Sequence, residues 1–144
     1  MLVSLVTGLP VILLCLILQA ILVGLCMRLY LRFRPYTLAP NSALADILLL
    51  STVMLILLLG NCLQMAIWAG LFVLLGEFDN FAHALYFSGV TFATLGYGDV
   101  VLSEGWRLLS GLEAANGILM FGVSTAVMTA AVSDVFKHNQ LKQQ

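Results

Sequence analysis

Thr94-Leu95-Gly96-Tyr97-Gly98-Asp99 is the stretch of this chain whose residue types and spacing point to chemistry. Glycines at alternate positions, Gly96 and Gly98, take positive φ without the Cβ clash that other residues suffer. Alternating left- and right-handed conformations turn successive carbonyls to the same side, and the Thr94 hydroxyl adds an oxygen at the inner end. Four copies of such a loop around one axis would stack rings of oxygens, and such rings replace the water shell of a dehydrated cation. The loop lies between long apolar runs. Non-helical backbone at membrane depth is tolerated only where it is buried in protein or lines a watery cavity.

The elements that must position this loop follow from composition. In 144 residues there is room for one domain, and a multidomain enzyme is excluded. Hydrophobic residues make up 62 % and charged residues 9 %, against about 45–50 % and about 25 % in a soluble domain, so the chain reads as an all-α membrane protein. Its net charge of −1, with no basic cluster, argues against a nucleic-acid partner. Leu2 to Met27 carries no charge, and the basic residues Arg28, Arg32 and Arg34 follow it. That is the reverse of a secretory signal, so residues 1–34 read as a retained transmembrane helix. Pro35, Pro40, Asn41 and Ser42 mark a connector over 35–42. An outer helix is expected over 43–76, then a short aromatic helix over 80–93 capped by Asp79 or Asn80, the loop at 94–99, and an inner helix over 103–137. At about 1.5 Å per residue that last run is roughly 50 Å long, beyond the ~30 Å hydrocarbon core, so it must tilt, bend or protrude. Residues 138–144 form a polar tail.

Orientation follows from the basic residues. Three lie at the end of the first helix, and Lys137 and Lys142 lie near the C-terminus. Both places are expected on the cytoplasmic side, which makes the chain a multi-pass cell-membrane protein with its N-terminus out, its C-terminus cytoplasmic and the loop re-entrant from outside. Glu77, Asp79, Asp99 and Glu104 then face outward against one basic residue, Arg107, and this acidic mouth concentrates cations.

The segment Ala84-Leu85-Tyr86-Phe87-Ser88-Gly89-Val90-Thr91-Phe92-Ala93-Thr94-Leu95-Gly96-Tyr97-Gly98-Asp99 resembles the pore helix and selectivity filter of potassium channels, closest to the bacterial two-transmembrane-pore and the two-pore-domain families. Gly105-Trp106-Arg107 and Leu112-Glu113-Ala114-Ala115-Asn116-Gly117 look like that family's inner helix, and the similarity runs from about residue 60 to 129. The resemblance implies a homotetrameric, potassium-selective pore in a lipid bilayer: three transmembrane helices per subunit, a re-entrant pore helix, and no cofactor beyond the permeant K+. It implies that Thr94, Leu95, Gly96, Tyr97 and Gly98 supply the ion ligands, with K+ at Thr94, Leu95, Gly96 and Tyr97. Tyr86, Phe87, Thr91 and Asp99 support the filter, Tyr97 packing into an aromatic cuff with Tyr86 and Phe87 and Asp99 standing at the outer mouth. Gly117 falls at the family's gating hinge, and Gly122 repeats the small-residue theme. The sequence departs from the common pattern at Ala93, often Thr, and at Val90, a Glu in some relatives. Both changes remove hydrogen-bonding groups behind the filter and touch no ion ligand.

Several other residues carry open readings. Glu113, about two turns into the inner helix, is either a filter-tuning partner of groups such as Ser88 or Gln64, or a neutral structural acid. Asn116 lines a cavity or bonds between helices. Asn61 and Gln64 read as packing glue, and Trp68, Trp106 and Arg107 as interface anchors. His83 reads as a pH sensor or a solvated side chain. Asp134 reads as a helix-end ion pair with Lys137 and His138, or as part of a gate. Cys15, Cys26 and Cys62 are odd in number and lack metal-ligand spacing, and read as small buried hydrophobes. No helix carries arginine at every third position, which speaks against a voltage sensor. Three rivals remain: a weakly selective cation channel, a non-conducting channel-like regulatory subunit, and an intramembrane enzyme. The enzyme would have to use Glu113 and His83, which lack a nucleophile.

Overall fold

The computed structural model describes the backbone of residues 2–37 and 43–141, and the side chains of 2–33 and 44–137. Among the described residues the fold is all-helical: α1 (Leu2–Thr37), α2 (Ala43–Leu74), α3 (Phe81–Phe92) and α4 (Arg107–Leu141). Three of these, over Leu2–Phe33, Leu44–Leu74 and Arg107–Lys137, are long and apolar enough to cross a membrane. At 12 residues, α3 is about 18 Å long and cannot span.

The helix ends show why the boundaries shift from those expected. α1 continues through Pro35 to Thr37, three residues into the expected connector; residues 38–42, the rest of the connector, lie outside the described residues. α2 stops at Leu74. Gly76 has φ +75, its N–H donates to the Val73 carbonyl, and the Glu77 N–H donates to that of Phe72. This is a glycine-terminated Schellman motif. Of the two candidate caps of α3, Asn80 is the one used: its side chain accepts from the Ala82 N–H at 2.8 Å. The start of α4 moves from the expected 103 to Arg107, because the backbone N–H and the hydroxyl of Ser103 are both taken by the Glu77 carboxylate (2.7 and 2.6 Å). Glu77 therefore ties the end of α2 to the segment that returns from the loop to α4.

α3 packs against α2 and α4, and α1 packs against the same two helices without touching α3. The central core joins Trp68, Ala69 and Phe72 of α2 to Ala84, Phe87 and Phe92 of α3 and to Leu109 and Met120 of α4. Trp68 is fully buried here and is no interface anchor. It shares the inward stripe of α2 with Asn61, Gln64 and Phe72, spaced three and four apart. Cys62, one residue off that stripe, is exposed, whereas Cys15 and Cys26 are buried as expected.

α1 buries Ser4, Gly8, Cys15, Gln19, Cys26 and Tyr30. These positions repeat every eleven residues, and none holds a large aliphatic side chain. Without a hydrophobic drive between helices in lipid, small residues permit close approach and polar ones bond across the interface. A Cβ on Gly8 would lie 2.8 Å from Leu112 Cδ1, and one on Gly60 2.3 Å from Leu22 Cδ1. The large apolar residues of α1, such as Leu13, Ile17 and Ile21, point outward.

Candidate cation-binding site

α3 ends at Phe92 in the same motif that ends α2, but without a glycine. The Thr94 N–H donates to the Thr91 carbonyl and the Leu95 N–H to that of Val90, both at 2.9 Å. The residue forced into the left-handed region is Thr94, at φ +60. Gly96 follows at φ +54 and Gly98 at φ +77. Positive φ thus recurs at alternate residues, 94, 96 and 98, with Leu95 and Tyr97 between them. The sequence reading anticipated the two glycines and missed Thr94. A β-branched residue held left-handed costs on the order of 1–3 kcal/mol, and such strain gathers at functional sites.

The loop stands exposed on one side of the single chain, with Leu95 57 % and Tyr97 66 % accessible. Behind it lies a cleft of about 370 Å³, lined by Thr91, Thr94, Gly96 and Gly98 on one wall and by Ser110 and Gly111 of α4 on the other. Asp99 follows the loop: it accepts from the Tyr86 hydroxyl at 2.6 Å and from the Val100 N–H at 3.0 Å. The hydrogen bond to Asp99, reinforced by desolvation, raises the Tyr86 phenol above its ordinary pKa. Phe87 faces the other way. Its ring meets Phe72 edge-on at 5.3 Å and Phe78 at 5.5 Å, anchoring α3 to α2. Adjacent helical residues point about 100° apart, so the two aromatic side chains divide between loop and core.

Glu113 and Ser88 meet behind α3. Both are fully buried, and the Ser88 hydroxyl contacts Glu113 Oε1 and, at 2.8 Å, the Met65 carbonyl. A hydroxyl carries one proton. Both contacts are hydrogen bonds only if the Glu113 carboxyl donates one of them, which describes a neutral acid passing a bond through Ser88 to α2. Gln64, the alternative partner, instead donates to Gln19 Oε1 at 2.8 Å. Asn116 is buried beside Cys15, so it lines no open cavity. Gly117 is buried against the end of α3, where a Cβ would stand 2.0 Å from the Phe92 carbonyl oxygen; at Gly122 it would meet nothing.

His83 is exposed near the start of α3. Asp134 accepts from Tyr30 of α1 at 2.7 Å, and its expected partner His138 has its side chain outside the described residues. The residues that sequence reasoning passed over are those of α1: Ser4, Gln19 and Tyr30. The signal was present, since they fall on one eleven-residue repeat, but a helix apolar on all sides hides such a stripe.

A family model described as an ion channel matches residues 47–134, from the fifth residue of α2 into the last third of α4. No curated protein and no solved structure matches the chain.

Proposed function

From the premise that this chain belongs to the ion channel family, we propose that it forms a potassium-selective channel conducting passively through a homotetrameric pore. The observation that carries this reading is the alternation of positive φ at Thr94, Gly96 and Gly98, at the carboxyl end of a helix too short to span. Carbonyls of Thr94 to Gly98, with the Thr94 hydroxyl, would take the place of the hydration shell, and four chains would complete each ring. The carboxyl end of α3 carries about half a negative charge, and four such ends would favour a cation below the filter. Asp99, held by Tyr86, would keep the outer mouth acidic.

Of the two aromatic residues expected to cuff Tyr97, Phe87 is taken by Phe72 and Phe78 while Tyr86 stands on the loop side; a neighbouring subunit would supply the rest. Gly117 is committed to close packing against Phe92, so Gly122 is the better placed of the two hinge candidates. The first helix and α4 run in the same direction, Ser4 meeting Gly105 and Tyr30 meeting Asp134. The start of α1 and the end of α4 therefore lie at opposite ends of the bundle, which supports a cytoplasmic C-terminus with Arg28, Arg32 and Lys137 inside.

The test is cation flux from liposomes holding the purified protein, with potassium or sodium inside and barium as blocker. Barium-sensitive flux of potassium over sodium is the expected result. Equal flux of both ions points to the weakly selective channel. No flux from a sample that is not four-fold points to the non-conducting subunit.

A further inference from the structure

The inner half of α4, beyond Gly117, is sparsely packed: of its described residues only Met120 and Ala131 are buried. An open cleft of about 300 Å³ separates it from α1, lined by Val23, Met27, Tyr30, Val127, Ala130 and Asp134 among others. Two side-chain hydrogen bonds run from this half to α1. Gln19 Nε2 donates to Ser124 Oγ at 3.2 Å, two residues past Gly122, and the Tyr30 hydroxyl donates to Asp134 Oδ2 at 2.7 Å near the inner end. Gln19 is itself fixed from the far side by Gln64 Nε2 at 2.8 Å, so α2, α1 and α4 are joined in series. At the outer end the Ser4 hydroxyl donates to the Gly105 carbonyl at 3.1 Å, which anchors α1 above the hinge as well as below it.

We propose that Gln19 and Tyr30 are positioning residues of the channel, holding the inner half of α4 against α1 and so setting how readily it swings about Gly122. The first helix is then part of the gate. A swing of the segment below Gly122 then carries α1 with it or breaks the bonds at Ser124 and Asp134. This rests on the conduction reading above. It adds a role for a helix that begins 45 residues before the region the family model matches.

The experiment uses the full chain in lipid, with Tyr30→Phe, Ser124→Ala and the double variant. Two readouts are taken: open probability in planar bilayers, and hydrogen exchange of backbone amides over 124–137. Tyr30→Phe and Ser124→Ala are each expected to shift open probability in the same direction by roughly three- to tenfold, the range a single hydrogen bond supplies. Unitary conductance and potassium-over-sodium selectivity stay at parent values, and exchange over 124–137 speeds up. A conducting channel whose open probability is unmoved by both single variants overturns the proposal, whether or not exchange changes. If the parent conducts nothing while exchange still accelerates in the variants, the mechanical tie is supported and the conduction reading fails.

Discussion

Thr94 occupies a left-handed position where glycine is the usual resident, and the Schellman turn that ends α3 puts it there. Gly96 relies on the same region of backbone space without strain. Replacing it, Gly96→Ala, adds roughly 1–2 kcal/mol of strain, and we expect potassium-over-sodium discrimination in the flux assay to be lost; an alanine variant with parent selectivity would contradict the assignment of this backbone as the filter. Glu113 poses a sharper residue-scale question. If it donates a proton to Ser88, then Glu113→Gln, whose amide also donates, keeps parent thermal stability to within about 0.5 kcal/mol. Glu113→Leu leaves the buried Ser88 short of a partner and costs about 1–3 kcal/mol. Equal losses in the two variants, measured by thermal unfolding in detergent, would mean that an amide, which both donates and accepts, cannot stand in for the carboxyl at Ser88. Glycine alternation and the acidic residue were both legible in the sequence. The bond between Ser88 and Glu113 was one of two partners left open, because residues 25 apart meet only through packing.

Two glycines of α4 separate at the scale of elements. A methyl at residue 117 would press on the Phe92 carbonyl, so Gly117→Ala must push α4 off the end of α3, at about 1–3 kcal/mol. At residue 122 a methyl meets open space, and alanine favours helix by about 0.8–1.0 kcal/mol over glycine. We therefore expect Gly117→Ala to lower the unfolding temperature, and Gly122→Ala to preserve or raise it while changing open probability. The reverse ranking in a melting series would exclude the division of labour drawn here. Helix existence and type were readable from apolar run length. Their ends were less so: Ser103 was expected inside α4, and it lies outside because Glu77, 26 residues earlier, takes its N–H and hydroxyl.

The whole molecule shows one chain with the loop after α3 exposed on one face and large apolar side chains exposed along all three long helices. Lipid can cover the helices, but under the proposed pore reading the exposed loop would be covered by other copies of the chain. Native mass spectrometry from detergent is expected to give four copies; a monomer or dimer as the sole species would defeat the pore reading. Since ions bound between four loops stabilise only the assembled state, replacing potassium by sodium should lower the dissociation temperature of that assembly. An unchanged temperature would speak against potassium bound at Thr94 to Gly98.

By itself, the sequence determined that this is a membrane protein with three spans and a short helix feeding a glycine-alternating loop. Those features depend on local quantities: apolar run length, φ preference, the order of charges. Tertiary structure decided what depends on distance in space. It buried Trp68 in the core, turned Phe87 away from the loop, assigned Gly117 to packing against Phe92, and brought Gln19 and Tyr30 to α4. In a chain that is 62 % hydrophobic, an apolar residue carries little information about which way it faces. Lipid and protein interior are equally good solvents for leucine, so the facing of each helix is chosen by its few small and polar residues, and their partners are known only once the helices have packed.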